Sequence, residues 1–271
     1  MRVGATIELM IDDRDTASSR INGERVVVLG WPSAILMQFA HPLIAAGVAD
    51  HSSFQKGRLA PLARLHGTIR AMLGMTFGDD AEARAAADRI NRIHDRVNGS
   101  LRQQAGPYAA GTPYSAHDPD LLAWVQLTLL DTMPRAYELL VGSLDPSTKD
   151  AYCLEARRGA RLLGIPDHLV PIASADVSSA VAARLHDGSL SVTGTARALA
   201  RDILMPGMPA PWPIPRLHRL VTVGLLRPEL RAAYGLDWST RDELALARWS
   251  ARLRWLSGNT PAIIRRWRAA R

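Results

Sequence analysis

RLHGTIRAMLGMTFGDDAEARAAADRINRIHDRVNG, residues 64–99, is the stretch whose reading decides the fold. Leu65, Ile69, Met72 and Leu73 recur at helical spacing, predicting a helix over 62–77. Asp79 or Asp80 then stands as the N-cap of a second helix that runs to about Val97 and stops at Asn98-Gly99. Three polar residues stand out in this helical pair. Arg64 and Thr68 are four apart and so share one face. His94 falls on or beside the apolar stripe of Ile90, Ile93 and Val97. A histidine turned toward a core is either satisfied by a backbone carbonyl or placed to ligate a metal centre such as a haem iron. The second use needs a neutral imidazole and, for the haem propionates, guanidinium forks, for which Arg64, Arg89, Arg92 and Arg96 are near enough in sequence. The residues alone leave both readings open.

Working outward, the pattern stays helical. Ser33 to Ala49 is the most apolar run, with Gln38, His41 and Pro42 inside it, which reads as a buried helix capped by Ser33 and bent at Pro42 rather than as a membrane span. Val26 to Leu29 reads as a brief strand, and residues 1–20 as a loosely attached arm. Residues 100–118 form a loop rich in Gly, Pro, Gln and Tyr. Asp118-Pro119 opens a helix that is strongly apolar from Leu121 to Leu130. Further helices are expected at 134–142, 147–163, 177–186, 193–204, 214–224, 227–234, 239–257 and 261–269, with 205–215 (MPGMPAPWPIP) as a linker. The expectation is an all-α chain in one compact multi-helix domain over 20–257, preceded by an arm (1–19) and followed by a basic C-terminal helix or tail (258–271).

Composition narrows the function classes. Of 271 residues, 47% are hydrophobic and 22% charged, which suits a folded domain with a sizeable core. The net charge is +7, and residues 241–271 hold eight arginines against Asp242 and Glu243, so this tail carries most of it. The rest of the chain is close to neutral, so no nucleic-acid partner is expected. The interleaved Trp249, Trp255 and Trp267 raise peripheral membrane contact as a use for the basic tail, against the plainer alternative of amphipathic helices whose arginines face solvent. Cys153 is the single cysteine, which excludes an intrachain disulfide and a CxxC metal site. MRVGATIELMIDDRD lacks the marks of a secretory signal, and the expectation is a cytoplasmic protein.

Nucleotide loops (GxGxxG, GxxxxGK[ST]), HExxH and GxSxG are absent, and no Glu stands three residues before a His. His168, His186 and His218 read as surface residues, and His117 lies in a polar loop. His41 and His51 bracket the end of the most buried run, so each needs an internal hydrogen-bond partner or a ligand.

FAHPLIAAGVADHSSF (39–54), RLHGT (64–68), FGDDAEARAAADRINRIHDRVNG (77–99), YSAHDPDLLAWV (114–125) and LLRPELRAAYGLDW (225–238) occur in this order. As a set they resemble the catalytic domain shared by rubber oxygenases (latex clearing proteins) and MpaB-type oxygenases, over roughly residues 20–257. The HxxVxG element of that family is present as His94-Asp95-Arg96-Val97-Asn98-Gly99. The resemblance implies an all-helical fold, haem b as cofactor and His94 as the proximal iron ligand. It implies that Arg64 and Thr68 line the haem pocket, Arg64 steering a propionate or polarising bound dioxygen and Thr68 donating a hydrogen bond. His41 and His51 match family positions and are candidate cofactor-binding residues without an assigned role.

The chain departs from the rubber oxygenases where they carry a lysine just before the threonine, since Gly67 stands there. It also has Asn91 and Asn98 where they have arginines flanking the histidine. A more open distal pocket follows, and polyisoprene is not the expected substrate. The resemblance points to an oxygenase acting on a small apolar molecule with O₂ or peroxide, and a redox partner is a candidate partner. A haem or small-ligand carrier without turnover is the alternative, and Gly67 favours it slightly.

Overall fold

The computed structural model describes residues 16–51, 60–205 and 211–270, and for 60–66 and 68 the backbone alone. It is 72% helix and 4% strand. The helices are α1 (Ala17–Asn22), α2 (Trp31–Phe39), α3 (Pro42–His51), α4 (Ala60–Phe77), α5 (Asp80–His94), α6 (Pro119–Leu140) and α7 (Pro146–Leu162). Then follow α8 (Ser174–His186), α9 (Gly194–Leu204), α10 (Ile214–Leu225), α11 (Pro228–Tyr234), α12 (Thr240–Asn259) and α13 (Ala262–Arg265). A two-stranded antiparallel hairpin, β1 (Asn98–Ser100) with β2 (Pro113–Ser115), lies between α5 and α6.

The centre is α6. Asp118 caps its start by accepting from the Asp120 and Leu121 amides, and Pro119 takes the first helical position, where no intrahelical N–H is needed. Leu122, Trp124, Leu127, Leu130, Met133, Ala136, Tyr137 and Leu140 are all buried, and α1, α2, α7, α8, α10 and α12 pack around it. The sequence predicts one helix opening at Asp118-Pro119 and a further one at 134–142. The structure makes one helix of 22 residues, because Pro134 is buried in a helix held from all sides and loses only one backbone bond. The polar groups of this helix find internal partners. The Trp124 indole N–H donates to the Met37 carbonyl at 3.2 Å, and buried Asp131 receives Arg135 at 2.8 Å and Arg227 on its other oxygen.

Other boundaries also moved. Val26–Leu29 lies in a 3-10 turn (Arg25–Gly30), not a strand: the Val27 amide donates to the Glu24 carbonyl, and the bridge to Arg266 is made by Glu24, just before the turn. Ser33 is not a cap. It is buried inside α2, which starts at Trp31 with Pro32 in its first turn. The apolar run 33–49 breaks at Ala40-His41 into α2 and α3, bent by 109°, and no single helix among the described residues is long and apolar enough to cross a membrane. Residues 17–20, assigned to the arm, belong to α1, whose first amides (Ala17 and Ser18) donate to the Glu155 carboxylate at 2.9 and 2.6 Å while Ile21 sits in the core.

The C-terminus is not an amphipathic helix over 261–269. It makes the short α13 and a 3-10 turn (Arg268–Ala270), where the Trp267 amide donates to Gly23 O, Arg265 and Arg266 pair with buried Glu24, and Ala270 is buried. His218, expected at the surface, is half-buried and bonded to Ile203 O. Residues 206–210 of the expected linker lie outside the described residues.

Removing the Asp131 carboxylate strands two guanidinium groups on a buried wall. Asp131→Ala is expected to destabilise the fold by about 3 kcal/mol, the lower end for breaking a buried pair because both arginines keep some solvent. The midpoint of urea unfolding checks this.

Candidate functional site

Helices α4 and α5 form an antiparallel pair. The Asp79 side chain accepts from the Glu82 amide and the Glu82 side chain from the Asp79 amide, a reciprocal cap that starts α5 where the sequence placed it. The two helices approach closely because the contact is made of small residues. A Cβ on Gly74 would stand 3.1 Å from the Ala86 methyl. The buried face of α5 is Ala83, Ala86 and Ala87, and Ile90 and His94 continue the line from Ala83 and Ala87 at helical spacing. His94 therefore does face inward, but the stripe it belongs to differs from the expected one: Ile93 is 59% exposed. Helix α5 also ends at His94, and residues 95–97, expected to continue it, form the turn that leads into β1.

That early end determines the setting of His94. The Val97 amide donates to the His94 carbonyl, the Val97 carbonyl accepts from Ala116, and the register pairs Asn98 with Ser115 and Gly99 with Tyr114. The Tyr114 ring lies so close that a Cβ on Gly99 would stand 2.6 Å from its hydroxyl, and Gly47 of α3 comes within contact distance of both Val97 and Tyr114. Tyr114 donates to Asp50 at 2.7 Å, and His51 Nε2 donates to the Asn98 carbonyl at 2.9 Å. His51 thus ties the end of α3 to β1. Its partner is backbone, and it works as a clamp behind His94.

The hairpin also brings in a residue that the sequence reading left in a polar loop. The His117 ring stands edge-on to His94, centroids 5.7 Å apart at 79°, and its Nε2–H donates to Asp95 at 2.8 Å. Neither ring nitrogen of His94 has a hydrogen-bond partner among the described residues, and Nδ1 is fully shielded from solvent. Burial, then the neighbouring His117, push the His94 pKa below the usual histidine value, while Asp95 opposes them, so the imidazole is neutral near pH 7. His41 is more deeply buried. Its Nε2 lies 3.0 Å from the Tyr108 hydroxyl, and burial, reinforced by Arg184, lowers its pKa to about 4. It stabilises the bend between α2 and α3, and its ring contact is Tyr108.

Beside this region lies a cavity of about 1300 Å³, larger than the ~300–1,000 Å³ usual for a small-molecule site. Its walls are α2 (Trp31, Ile35, Gln38), α4 (Ala71, Met72, Met75), α6 (Val125, Gln126, Leu129, Met133) and α7 (Tyr152 to Leu163). Ile90, one turn before His94, belongs to the same wall. Gln38 and Arg157 are wall residues that sequence reasoning missed. Nothing local marked them, because only the crossing of α2 and α7 behind α4 brings them here. Gln38 donates to Thr128, and Arg157 pairs with Asp167 at 3.1 Å. Arg64 and Thr68 lie in α4, and their side chains lie outside the described residues. Gly67, between them and one place from the expected distal position, is exposed, with no described atom within 4 Å of where a Cβ would stand.

The chain that forms this α-helical domain, with a neutral inward histidine at the end of one helix and a large cavity alongside, matches one family model across residues 19–255: "ER-bound oxygenase mpaB/B'/Rubber oxygenase, catalytic domain". The chain belongs to this family. Two uncharacterised mycobacterial proteins, one from Mycobacterium bovis and one from Mycobacterium tuberculosis, are each 26% identical over 211 residues, covering 76% of this chain and 78% of theirs. No solved structure matches. Within the MpaB/rubber-oxygenase domain, the motifs that carried the resemblance now have physical reasons. YSAHDPDLLAWV holds the tyrosine over Gly99, the His117 neighbour, the α6 cap and the buried Trp124. In LLRPELRAAYGLDW, Arg227 reaches Asp131 and the Tyr234 hydroxyl donates to the Leu36 carbonyl at 2.6 Å.

Two measurements test this geometry. Gly99→Ala forces Tyr114 off Asp50 and is expected to cost about 1–3 kcal/mol, read as a lower melting temperature. The unfolded chain takes up the His41 proton near 6.5 and the folded chain near 4, so stability falls as pH drops through that window, by ~1.4 kcal/mol per pH unit from this group. An NMR titration should place the His41 ring midpoint near 4.

Proposed function

We propose that this oxygenase domain is haem b-dependent and acts on a small apolar substrate with O₂ or peroxide. The observation that carries the reading is His94: a neutral, half-buried imidazole with no hydrogen bond on either nitrogen among the described residues, at a helix end one turn after Ile90 of the cavity wall. Its shielded Nδ1 has lost its water without gaining a partner, and the ring is left able to take a metal centre. The residues therefore fit the group. His94 would hold the iron, with Arg64 and Thr68 on α4 as the proposed partners for a propionate and for a polar ligand. Haem b supplies, when bound, the redox chemistry that side chains lack.

What the chain contributes is placement and exclusion of water. The β1–β2 hairpin holds the His94 backbone, and His117, fixed by Asp95, limits rotation of its ring. Trp31, Ile35, Met72, Met75 and Leu129 offer apolar contacts that favour an apolar molecule and exclude water where it packs. Gln38, one of several polar groups on that wall, gives its amide nitrogen to Thr128 and leaves its carbonyl oxygen to accept from a substrate hydroxyl or a water. A carrier without turnover is the second reading, favoured by Gly67, which stands where rubber oxygenases carry a lysine.

Protein expressed with added haem precursor should show a Soret band and a haem b pyridine haemochrome. His94→Ala should lose most of the haem with its helical circular dichroism unchanged. A colourless wild type, or full haem retention in the variant, removes the reading. Oxygen uptake with isoprenoid or aromatic substrates separates oxygenase from carrier.

A further inference from the structure

Helices α12 and α13 carry an unusual surface. The inner face of α12 packs through Leu246 and Leu253 onto the core, with Ser250 buried and the Ser257 hydroxyl donating to Leu140 O. Its outer face follows at helical spacing as Leu244, Arg248, Ala251, Arg252 and Trp255, all exposed. Leu244 and Trp255 are more than half exposed, and so are Ile263 and Ile264 on α13, a few residues further along. A soluble surface normally scatters its large apolar groups singly, whereas this one concentrates them at the end of one helix and the start of the next.

The charge on the same segment has one sign. No acidic residue follows Glu243, and residues 244–271 include seven arginines. Arg265 and Arg266 are engaged by buried Glu24, and Arg254 donates to the Glu138 carbonyl. Arg248 and Arg252 have no carboxylate partner among the described residues, and Arg252 rests on the Trp249 ring at 5.3 Å. Guanidinium groups alternating with an exposed tryptophan on α12, followed by two exposed isoleucines on α13, match a surface that is anionic outside and apolar beneath.

We propose that the outer face of α12 together with α13 is a peripheral docking surface for an anionic lipid bilayer, with Trp255, Ile263 and Ile264 entering the interface and Arg248 and Arg252 meeting headgroup phosphates. A second copy of the chain fits less well, because a two-fold contact would set these acid-free arginine stripes against each other. Nucleic acid fits less well because the paired isoleucines have no role on a phosphate backbone.

The test uses the full chain and needs neither cofactor nor turnover, so it is independent of the reading of His94. Co-sedimentation is measured with phosphatidylglycerol/phosphatidylcholine vesicles and with phosphatidylcholine alone, at low and moderate salt. The expected result is retention on the anionic vesicles that weakens as salt rises. Arg248→Ser with Arg252→Ser should weaken the partition about tenfold or more. Ile263→Ser with Ile264→Ser should weaken it too, with unchanged thermal unfolding, since all four side chains are solvent-exposed. Absence of retention, equal retention on phosphatidylcholine, or retention unaffected by both variants overturns the proposal. A concentration-dependent dimer in ultracentrifugation that the isoleucine variant abolishes assigns the face to a second copy. Binding to single-stranded DNA that outcompetes the vesicles assigns it to nucleic acid.

Discussion

Burial of α6 is the constraint on which the other elements depend. A helix of 22 residues, ~33 Å long, that is apolar on most of its circumference has to be covered from several directions at once, and here six helices do so. The cost of surrounding it is that its few polar groups must be paired inside the protein. Trp124 reaches the Met37 carbonyl, Thr128 binds Gln38, and Asp131 holds Arg135 and Arg227. These pairings set the distance of α2 and of the α10–α11 corner from the central helix. The cavity exists because α4 and α5 do not close onto α6: they pack on one another and leave space toward α2 and α7.

The same logic explains why His94 sits where it does. A helix that ended at Val97 would carry its last turn into solvent. Instead the Gly99–Tyr114 approach draws the chain into a hairpin, whose strands are short but joined to α3 by His51, Asp50 and Gly47. Two of the histidines placed by resemblance thus have structural partners: His51 with a backbone carbonyl and His41 with Tyr108. Among the described residues His94 is left without one on either nitrogen, whereas His41, whose Nδ1 is also unpartnered, keeps its bond to Tyr108, and that difference marks His94 as the ligand candidate.

Much of the fold was legible. The Asp79 and Asp118 caps, the helical periods and the all-helical character follow from local chemistry, and the helices from 146 to 259 begin and end within a few residues of their expected bounds. The errors share one cause. Pro134, Ser33, Val26–Leu29 and the end of α5 were each judged by local preference, and each is overruled by what packs against it. Proline is tolerated in a helix held from all sides, and a cap residue becomes a buried core serine once the helix starts earlier. The hairpin could not be foreseen from three-residue strands with no alternation of polar and apolar side chains.

By itself, the sequence determined the helical class, the family to which the chain belongs, the inward turn of His94 and the sign of the C-terminal charge, because each depends on residues close together in the chain or on their order. Only the tertiary structure decided that His117 stands against His94, that Gln38 and Arg157 share a wall with Ile90, and that the basic tail is half engaged with Glu24 and half presented outward. Those relations join residues 20 to more than 200 positions apart. They are set by how helices cross rather than by how each one forms.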